Sequence, residues 1–177
     1  MSFEALVEQA EAAFRAGDHA GALSAWRAAW PLSRGVLEPV PRVWLLLSLA
    51  TAAVRAGDFD EAFEALAGLQ KGFADTKVVV GNPWFHLLVG LTFAGLRDSP
   101  EQMTDNFARA LICGGPELFT DEDPQFLAAM KRLLKPPAEL GTWDGYRGCS
   151  RALLNGATGP LRDLLTHRLG APPPYSD

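Results

Sequence analysis

The stretch VWLLLSLATAAVRAGDFDEAFEALAGL, residues 43–69, decides the fold of this chain. Its apolar residues recur at helical spacing on both sides of Gly57, which predicts two helices separated by a tight turn. Glycine adopts the left-handed conformation that commonly ends a helix without steric cost. Asp58 then fits the N-cap of the second helix, and Glu61, three residues on, completes a capping-box pattern. Two helices joined by so short a turn form an antiparallel hairpin.

The hairpin pattern repeats with a period of 40 residues. An aspartate stands at the turn in all three copies, as Asp18, Asp58 and Asp98, and each turn lies between two stretches of helical periodicity. The third turn differs, because Ser99 is the better N-cap there, with proline following it and Gln102 as its capping-box partner. One hairpin cannot bury its own apolar face, so three in succession predict an all-α stack of antiparallel helical hairpins.

The remainder of the chain is expected to cap and extend this stack. Residues 124–135 follow a capping aspartate and have an apolar face at helical spacing, which predicts a helix that covers the last hairpin. Further short helices are expected at 150–154 and 160–169. We therefore divide the chain into a repeat domain with its capping helix, residues 1–135, and a C-terminal helical extension and tail, residues 136–177, packed on the same domain.

The three hairpins resemble tetratricopeptide (TPR) repeats. The third copy carries the family's glycine, aromatic and alanine positions as Gly90, Phe93, Phe107 and Ala110, and the second copy keeps the Gly-Asp turn. The family period is about 34 residues, so the period of 40 here implies connectors longer by about six residues. The resemblance spans roughly residues 3–113 and implies a stack in which the first helix of each hairpin lines a concave groove.

Composition and charge exclude several classes of function. The chain of 177 residues is long enough for one folded domain, and 48% hydrophobic with 21% charged residues is typical of one. A net charge of −5 with dispersed basic residues argues against nucleic acid or an anionic membrane as the partner. No apolar run is long enough to span a bilayer, and the acidic, helical N-terminus lacks signal-peptide features, so we expect a cytoplasmic protein.

The residues that could support catalysis do not form a recognisable constellation. The three histidines are scattered, and His86 is expected to pack, partly buried, between helices of the third hairpin. Cys113 follows an apolar stretch that favours an inert core thiol, and the run Asp121–Asp123 suits the N-terminus of a helix better than a metal loop. The pattern therefore predicts a protein that is not an enzyme and that needs no cofactor or metal.

Outward-facing residues of the first helices are the candidates for partner binding. Trp44 and Trp84 occupy equivalent positions, and a tryptophan on a groove wall is a typical binding hot spot. An alternative is that both pack under the long connectors between hairpins, and Arg15 and Arg55 also suit the helix C-termini at which they lie. The full set of candidate partner-binding residues is Glu11, Arg15, Trp44, Ser48, Thr51, Arg55, Trp84 and Leu91.

Three hypotheses about function follow. The first is a module that grips a partner protein or peptide in the groove. The segments NPWFHLLVGL, NFARALICGGPELF and EDPQFL resemble small bacterial TPR-type proteins encoded beside polymorphic toxins as immunity proteins, which implies a toxin or effector as the partner. The second is a scaffold, a secretion chaperone or a self-assembling structural subunit. The third, an enzyme or small-ligand sensor, requires a pocket that the sequence does not predict.

Overall fold

The computed structural model describes residues 1–37, 39–73, 79, 81–149, 157 and 159–169. Within these ranges the protein is all-α and contains no β-strand. A 3-10 helix, Pro116–Phe119, connects the last hairpin to the C-terminal helices. The α-helices are α1 (Phe3–Arg15), α2 (His19–Leu32), α3 (Pro39–Ala56), α4 (Phe59–Phe73), α5 (Pro83–Leu96), α6 (Pro100–Gly114), α7 (Pro124–Leu133) and α8 (Gly159–Leu169).

The first six helices form three hairpins, α1–α2, α3–α4 and α5–α6, each helix packing on the next one in the chain. The first two turns have the predicted geometry, with Gly17 at φ +78° and Gly57 at φ +77°. The following aspartates cap the second helices, since the Asp58 carboxylate accepts from the N–H of Glu61 at 3.2 Å. The Glu61 side chain does not complete a capping box, because it accepts instead from Arg27 of the neighbouring α2 at 3.0 Å.

The third turn is built without glycine. Arg97 and Ser99 both take the left-handed conformation, with φ values of 54° and 33°. The Ser99 hydroxyl accepts from the backbone N–H of Gln102 at 3.4 Å, as the N-cap prediction requires. The Ser99 N–H donates to the Asp98 carboxylate at 2.8 Å, which takes the place of the side chain of Gln102 in the expected capping box.

Small residues allow the helices of the third hairpin to approach closely. A Cβ atom at Gly90 would lie 2.5 Å from the ring of Phe107, so the ring of α6 occupies the space that a side chain on α5 would need. Phe107 is buried and its ring also packs on Phe126 of α7, with 4.6 Å between the ring centroids. The capping helix therefore continues the core of the third hairpin, as the sequence predicts.

The C-terminal region differs from the prediction in detail. Asp123 caps α7 by accepting from the N–H of Gln125 at 2.9 Å, but the helix ends at Leu133, two residues before the predicted end. The helix expected at 150–154 lies outside the described residues. The last predicted helix is present as α8, which packs against α1 and the 3-10 helix. Among the described residues, no helix combines the length and apolarity needed to cross a membrane.

Candidate partner-binding site

The eight predicted binding residues lie on α1, α3 and α5, the first helices of the three hairpins. The structure divides them into two groups. Thr51, Arg55, Trp84 and Leu91 lie in a half of the surface formed by these helices that is largely withdrawn from solvent, which we call the closed half. Trp44, Ser48 and Glu11 line a cleft in the other half, which we call the open half, and Arg15 lies beyond it on α1.

Trp84 is the centre of the closed half. Its side chain is wholly buried, and its indole N–H donates to the Thr51 hydroxyl at 3.1 Å. The Thr51 hydroxyl in turn donates to the carbonyl of Leu47 at 2.6 Å, so every strong hydrogen-bonding group of the pair is used within the protein. The guanidinium of Arg168, from α8, lies over the Trp84 ring at 5.0 Å from its centroid, which is within the range of a cation–π contact.

Arg168 also anchors an ion network that joins three parts of the chain. Its side chain is wholly buried, and Nη1 donates to Glu122 Oε1 at 2.7 Å and to the carbonyl of Leu118 at 2.9 Å. Its Nε donates to the Asp121 carboxylate at 3.1 Å. Arg55 of α3 reaches the same Glu122 oxygen at 2.7 Å, so one nearly buried carboxylate lies between two arginines.

The ion network contributes to the burial of the closed half. Helical position predicted Trp84, Thr51 and Arg55 on a groove wall, with packing under a connector as the alternative for Trp84. In the structure Trp84 and Thr51 are buried and Arg55 is paired with Glu122. Arg168 of α8 lies over the ring of Trp84 and bonds to the same Glu122 carboxylate as Arg55. The connector between α4 and α5, the alternative cover for Trp84, lies mostly outside the described residues. Their role in partner binding stays a prediction that would require α8 to move.

The open half contains an apolar cleft of about 280 Å³ between α1, α2, α3 and the start of α8. The Ser48 hydroxyl, which lies in its wall, donates to the carbonyl of Trp44 at 2.9 Å and so offers the cleft little polarity. Leu37, on the connector between α2 and α3, contributes to the same wall. The main apolar side chains that line the cleft are Phe3, Val7, Trp26, Trp44, Leu45 and Leu161.

Charged residues of α1 border this cleft. Glu11 lines it and accepts from Arg15 at 3.4 Å, and Arg15 Nε lies 4.0 Å from the Asp163 carboxylate of α8. The start of α8 lies close to Glu11, since the Glu11 carboxylate occupies the space beside Gly159. The left-handed φ of +58° at position 159 favours glycine at the start of α8.

A second cleft, of about 370 Å³, lies on the opposite face of α5, between α4, α5 and α6. His86 follows Trp84 by two residues, which places its side chain about 200° around the helix from the closed half. Phe63 and Phe93 form one wall of this cleft, with their rings edge to face at 6.0 Å between centroids. Sequence periodicity did not reveal it, because the wall is assembled from three helices of two different hairpins.

The side chain of Asn106 fixes the hydrogen-bonding state of His86. Because the carbonyl of Gln102 can only accept, the Asn106 atom that lies 2.9 Å from it is the amide nitrogen. The amide oxygen therefore faces His86 Nδ1 at 2.9 Å. Because this oxygen can only accept a hydrogen bond, Nδ1 must carry a proton and donate it. The neutral ring then has its proton on Nδ1, so that Nε2 is an acceptor. Nε2 forms no hydrogen bond within the described part of the chain and remains accessible to solvent.

Burial lowers the pKa of His86 below its ordinary value of 6.5, and the positive charge of Arg109 acts in the same direction. The hydrogen bond to Asn106 and the charge of Asp105 oppose this shift but are outweighed. His86 therefore binds a proton more readily in the unfolded chain than in the native protein, so protonation of His86 favours unfolding. The stability contributed by the neutral ring is fully present above about pH 6.5. That contribution is lost as the pH falls from 6.5 toward the lower native pKa.

We expect the free energy of unfolding to fall between pH 7.5 and pH 5.5, and to fall less in a His86→Gln variant. Glutamine is neutral over this range and its amide N–H can still donate to Asn106. Urea unfolding at the two pH values, monitored by circular dichroism, measures the difference for both proteins. Equal losses in the two proteins would show that His86 has the same proton affinity in the native and unfolded states.

Comparison of the chain with protein-family models, with curated proteins and with solved structures gave no match. The assignment to tetratricopeptide repeats therefore stays a prediction that rests on the turn, glycine and aromatic positions of the three hairpins.

Proposed function

We propose that this protein is a non-catalytic protein-binding module whose partner inserts an amphipathic helix into the open half of the concave groove. The observation that supports this proposal is the apolar cleft of about 280 Å³ between α1, α3 and the start of α8. The connector between α2 and α3 and the start of α3 extend this apolar surface, since Leu37 lines the cleft while Val36 and Val40 are exposed. Contiguous exposed apolar surface is typical of a protein interaction site.

A helix is the partner element that suits the groove. The chain's own α8 packs against α1 along the same surface and contributes Leu161 to the wall of the cleft. A partner helix would continue the apolar surface beyond Leu161 and present side chains at spacings of three and four residues. Trp44, Ser48 and Glu11, three of the residues expected from the sequence to bind the partner, line this cleft.

The charge of the groove favours a basic partner. Glu4 and Glu8 are exposed on α1, Glu11 lines the cleft, and the chain has a net charge of −5. Positively charged groups at the flanks of the inserted helix would accelerate association and select against acidic partners. The resemblance to toxin-associated proteins supplies a specific candidate of this kind, a basic toxin or effector whose activity this chain would block.

The proposal is tested by site-specific crosslinking in the native cell. A photoreactive phenylalanine derivative at Val40, beside the cleft, should crosslink to a partner protein, whereas the same derivative at the exposed Lys131 of α7 should not. Identification of the crosslinked protein by mass spectrometry distinguishes a toxin from a second copy of this chain. Crosslinking to a second copy would favour the self-assembling scaffold, and crosslinks from Lys131 alone would contradict the groove site.

Binding of the purified partner then provides a quantitative test. Val7→Asp places a charge in the apolar cleft and should weaken the complex at least tenfold, or about 1.4 kcal/mol. Gln9→Asp makes a comparable change on the same helix at an exposed position, and should change the affinity less than twofold. Thermal unfolding shows whether each variant is folded, and Phe3→Ala provides a second, uncharged change in the cleft. Equal affinities for the three variants and the unmodified protein would contradict the proposal.

A further inference from the structure

We infer that the cleft between α4, α5 and α6 is a second, independent interaction site, and that it binds a tyrosine side chain of a partner polypeptide. This cleft is larger than the one in the groove, with a volume of about 370 Å³ against about 280 Å³. It lies on the face of α5 opposite Trp84, so that α8 and the closed half do not obstruct it. We call it the convex cleft.

The walls of the convex cleft suit a flat aromatic ring. Phe85 and Phe93 of α5 and Phe63 of α4 line it, and the Phe63 side chain is 41% exposed although it is large and apolar. The edge-to-face contact between Phe63 and Phe93 orients the two rings across neighbouring hairpins. A third aromatic ring inserted beside them would gain edge-to-face or offset-stacked contacts in addition to the apolar area that it buries.

The polar groups of the convex cleft match a phenol hydroxyl. Nε2 of the neutral His86 is an accessible acceptor, because Nδ1 is committed to Asn106. The side chains of Gln70 and Gln102 line the same cleft and supply amide N–H donors. A phenol can donate to the first group and accept from the second, whereas an indole N–H can only donate and a phenyl ring can do neither.

The charged groups around His86 do not compete for the hydroxyl. Asp105 and Arg109 are the two charged side chains in the described lining, and they form an ion pair with 2.8 Å between Asp105 Oδ2 and Arg109 Nε. The lining contributed by α4 is uncharged. A neutral polar ligand is therefore favoured over a carboxylate or an amine, for which the cleft offers no unpaired charge within the part of the chain that the structure describes.

The inference is tested by nuclear magnetic resonance titration with three probes, the N-acetyl amides of tyrosine, tryptophan and phenylalanine. We expect the tyrosine probe to shift resonances of Val89 and Asn106 but not those of Trp44, and to bind about fivefold more tightly than the phenylalanine probe. That ratio corresponds to about one net hydrogen bond. The tryptophan probe should bind more weakly than the tyrosine probe, since its N–H lacks the acceptor function.

Two variants separate the contribution of the aromatic wall from that of the His86 acceptor. Phe63→Ala should weaken the tyrosine and phenylalanine probes alike by about threefold, and because Phe63 is partly exposed this variant should remain folded. His86→Phe keeps a ring but removes the acceptor, so it should abolish the preference for tyrosine. Leu133→Ala, at an exposed apolar residue of α7, is the control and should change neither.

Three results would overturn the inference. They are the absence of saturable shifts with the tyrosine probe, equal affinity of the tyrosine and phenylalanine probes for the unmodified protein, and shifts confined to residues of the concave groove. None of these results would bear on partner binding in the open half, because the two clefts share no lining residue.

Discussion

Replacement of Glu122 by glutamine is expected to lower the free energy of unfolding by about 3–5 kcal/mol. The glutamine has nearly the same shape but no charge, so the buried guanidinium of Arg168 and the guanidinium of Arg55 would face each other without the carboxylate that now lies between them. Arg168 would keep only the half-exposed Asp121 carboxylate as an ionic partner, so its buried charge would be incompletely compensated in a medium that solvates it poorly. Chemical unfolding should show the loss directly, with a melting temperature lower by roughly 10 °C.

Glu117→Gln is the matched control for this change. Glu117 also pairs with an arginine, Arg147, but both side chains are about half exposed. Exposed ion pairs contribute about 0–1 kcal/mol, so this variant should unfold nearly as the unmodified protein does. A small effect of Glu122→Gln, similar to that of the control, would mean that water enters the closed half and solvates the two arginines.

Replacement of Trp84 by alanine is expected to cost about 3–5 kcal/mol of unfolding free energy. The side chain is wholly buried, so truncation empties a large volume at the centre of the closed half. It also removes the donor to the Thr51 hydroxyl and the ring on which the Arg168 guanidinium lies. Trp84→Phe should cost less, because phenylalanine fills most of the volume and loses only the indole N–H, worth about 0.5–1.5 kcal/mol.

Phe63→Ala shows whether the loss of stability in Trp84→Ala comes from the burial of the truncated ring. Phe63 is as apolar as Trp84 but partly exposed, so its truncation should cost about 1 kcal/mol or less. Stability and partner affinity should be measured together for both variants. If Trp84→Ala left stability unchanged but abolished partner binding, Trp84 would be a groove residue exposed in solution and α8 would not cover it.

The closed and open halves imply different roles for the two parts of the surface formed by the first helices. In the closed half, Arg168 of α8 is held by the carboxylates of Glu122 and Asp121 and by the ring of Trp84, so that this half contributes to stability. In the open half, the lining is apolar and no comparable ion network holds α8 among the described residues. The partner that we propose for the open half would therefore not compete with the buried ion network.

The sequence by itself determined the features that depend on neighbours in the chain. The turns at Gly17 and Gly57 and the caps formed by Ser99 and Asp123 all use hydrogen bonds between residues two to five positions apart, so the residue types predict them. The all-α fold and the capping helix followed because helical periodicity and hairpin repetition are also local patterns.

Only the tertiary structure decided which side chains remain open to a partner. Arg168 bonds to residues 46 to 50 positions away, and the segment GPLRDLLTHRL has no periodic pattern that assigns it to the groove. Helical position therefore left Trp84 either on the groove wall or packed under a connector, whereas the structure buries it with Arg168 of α8 over its ring. The state of His86 likewise depends on Asn106 of another helix. Contacts of this kind are set by how the helices pack together, which periodicity along one helix does not specify.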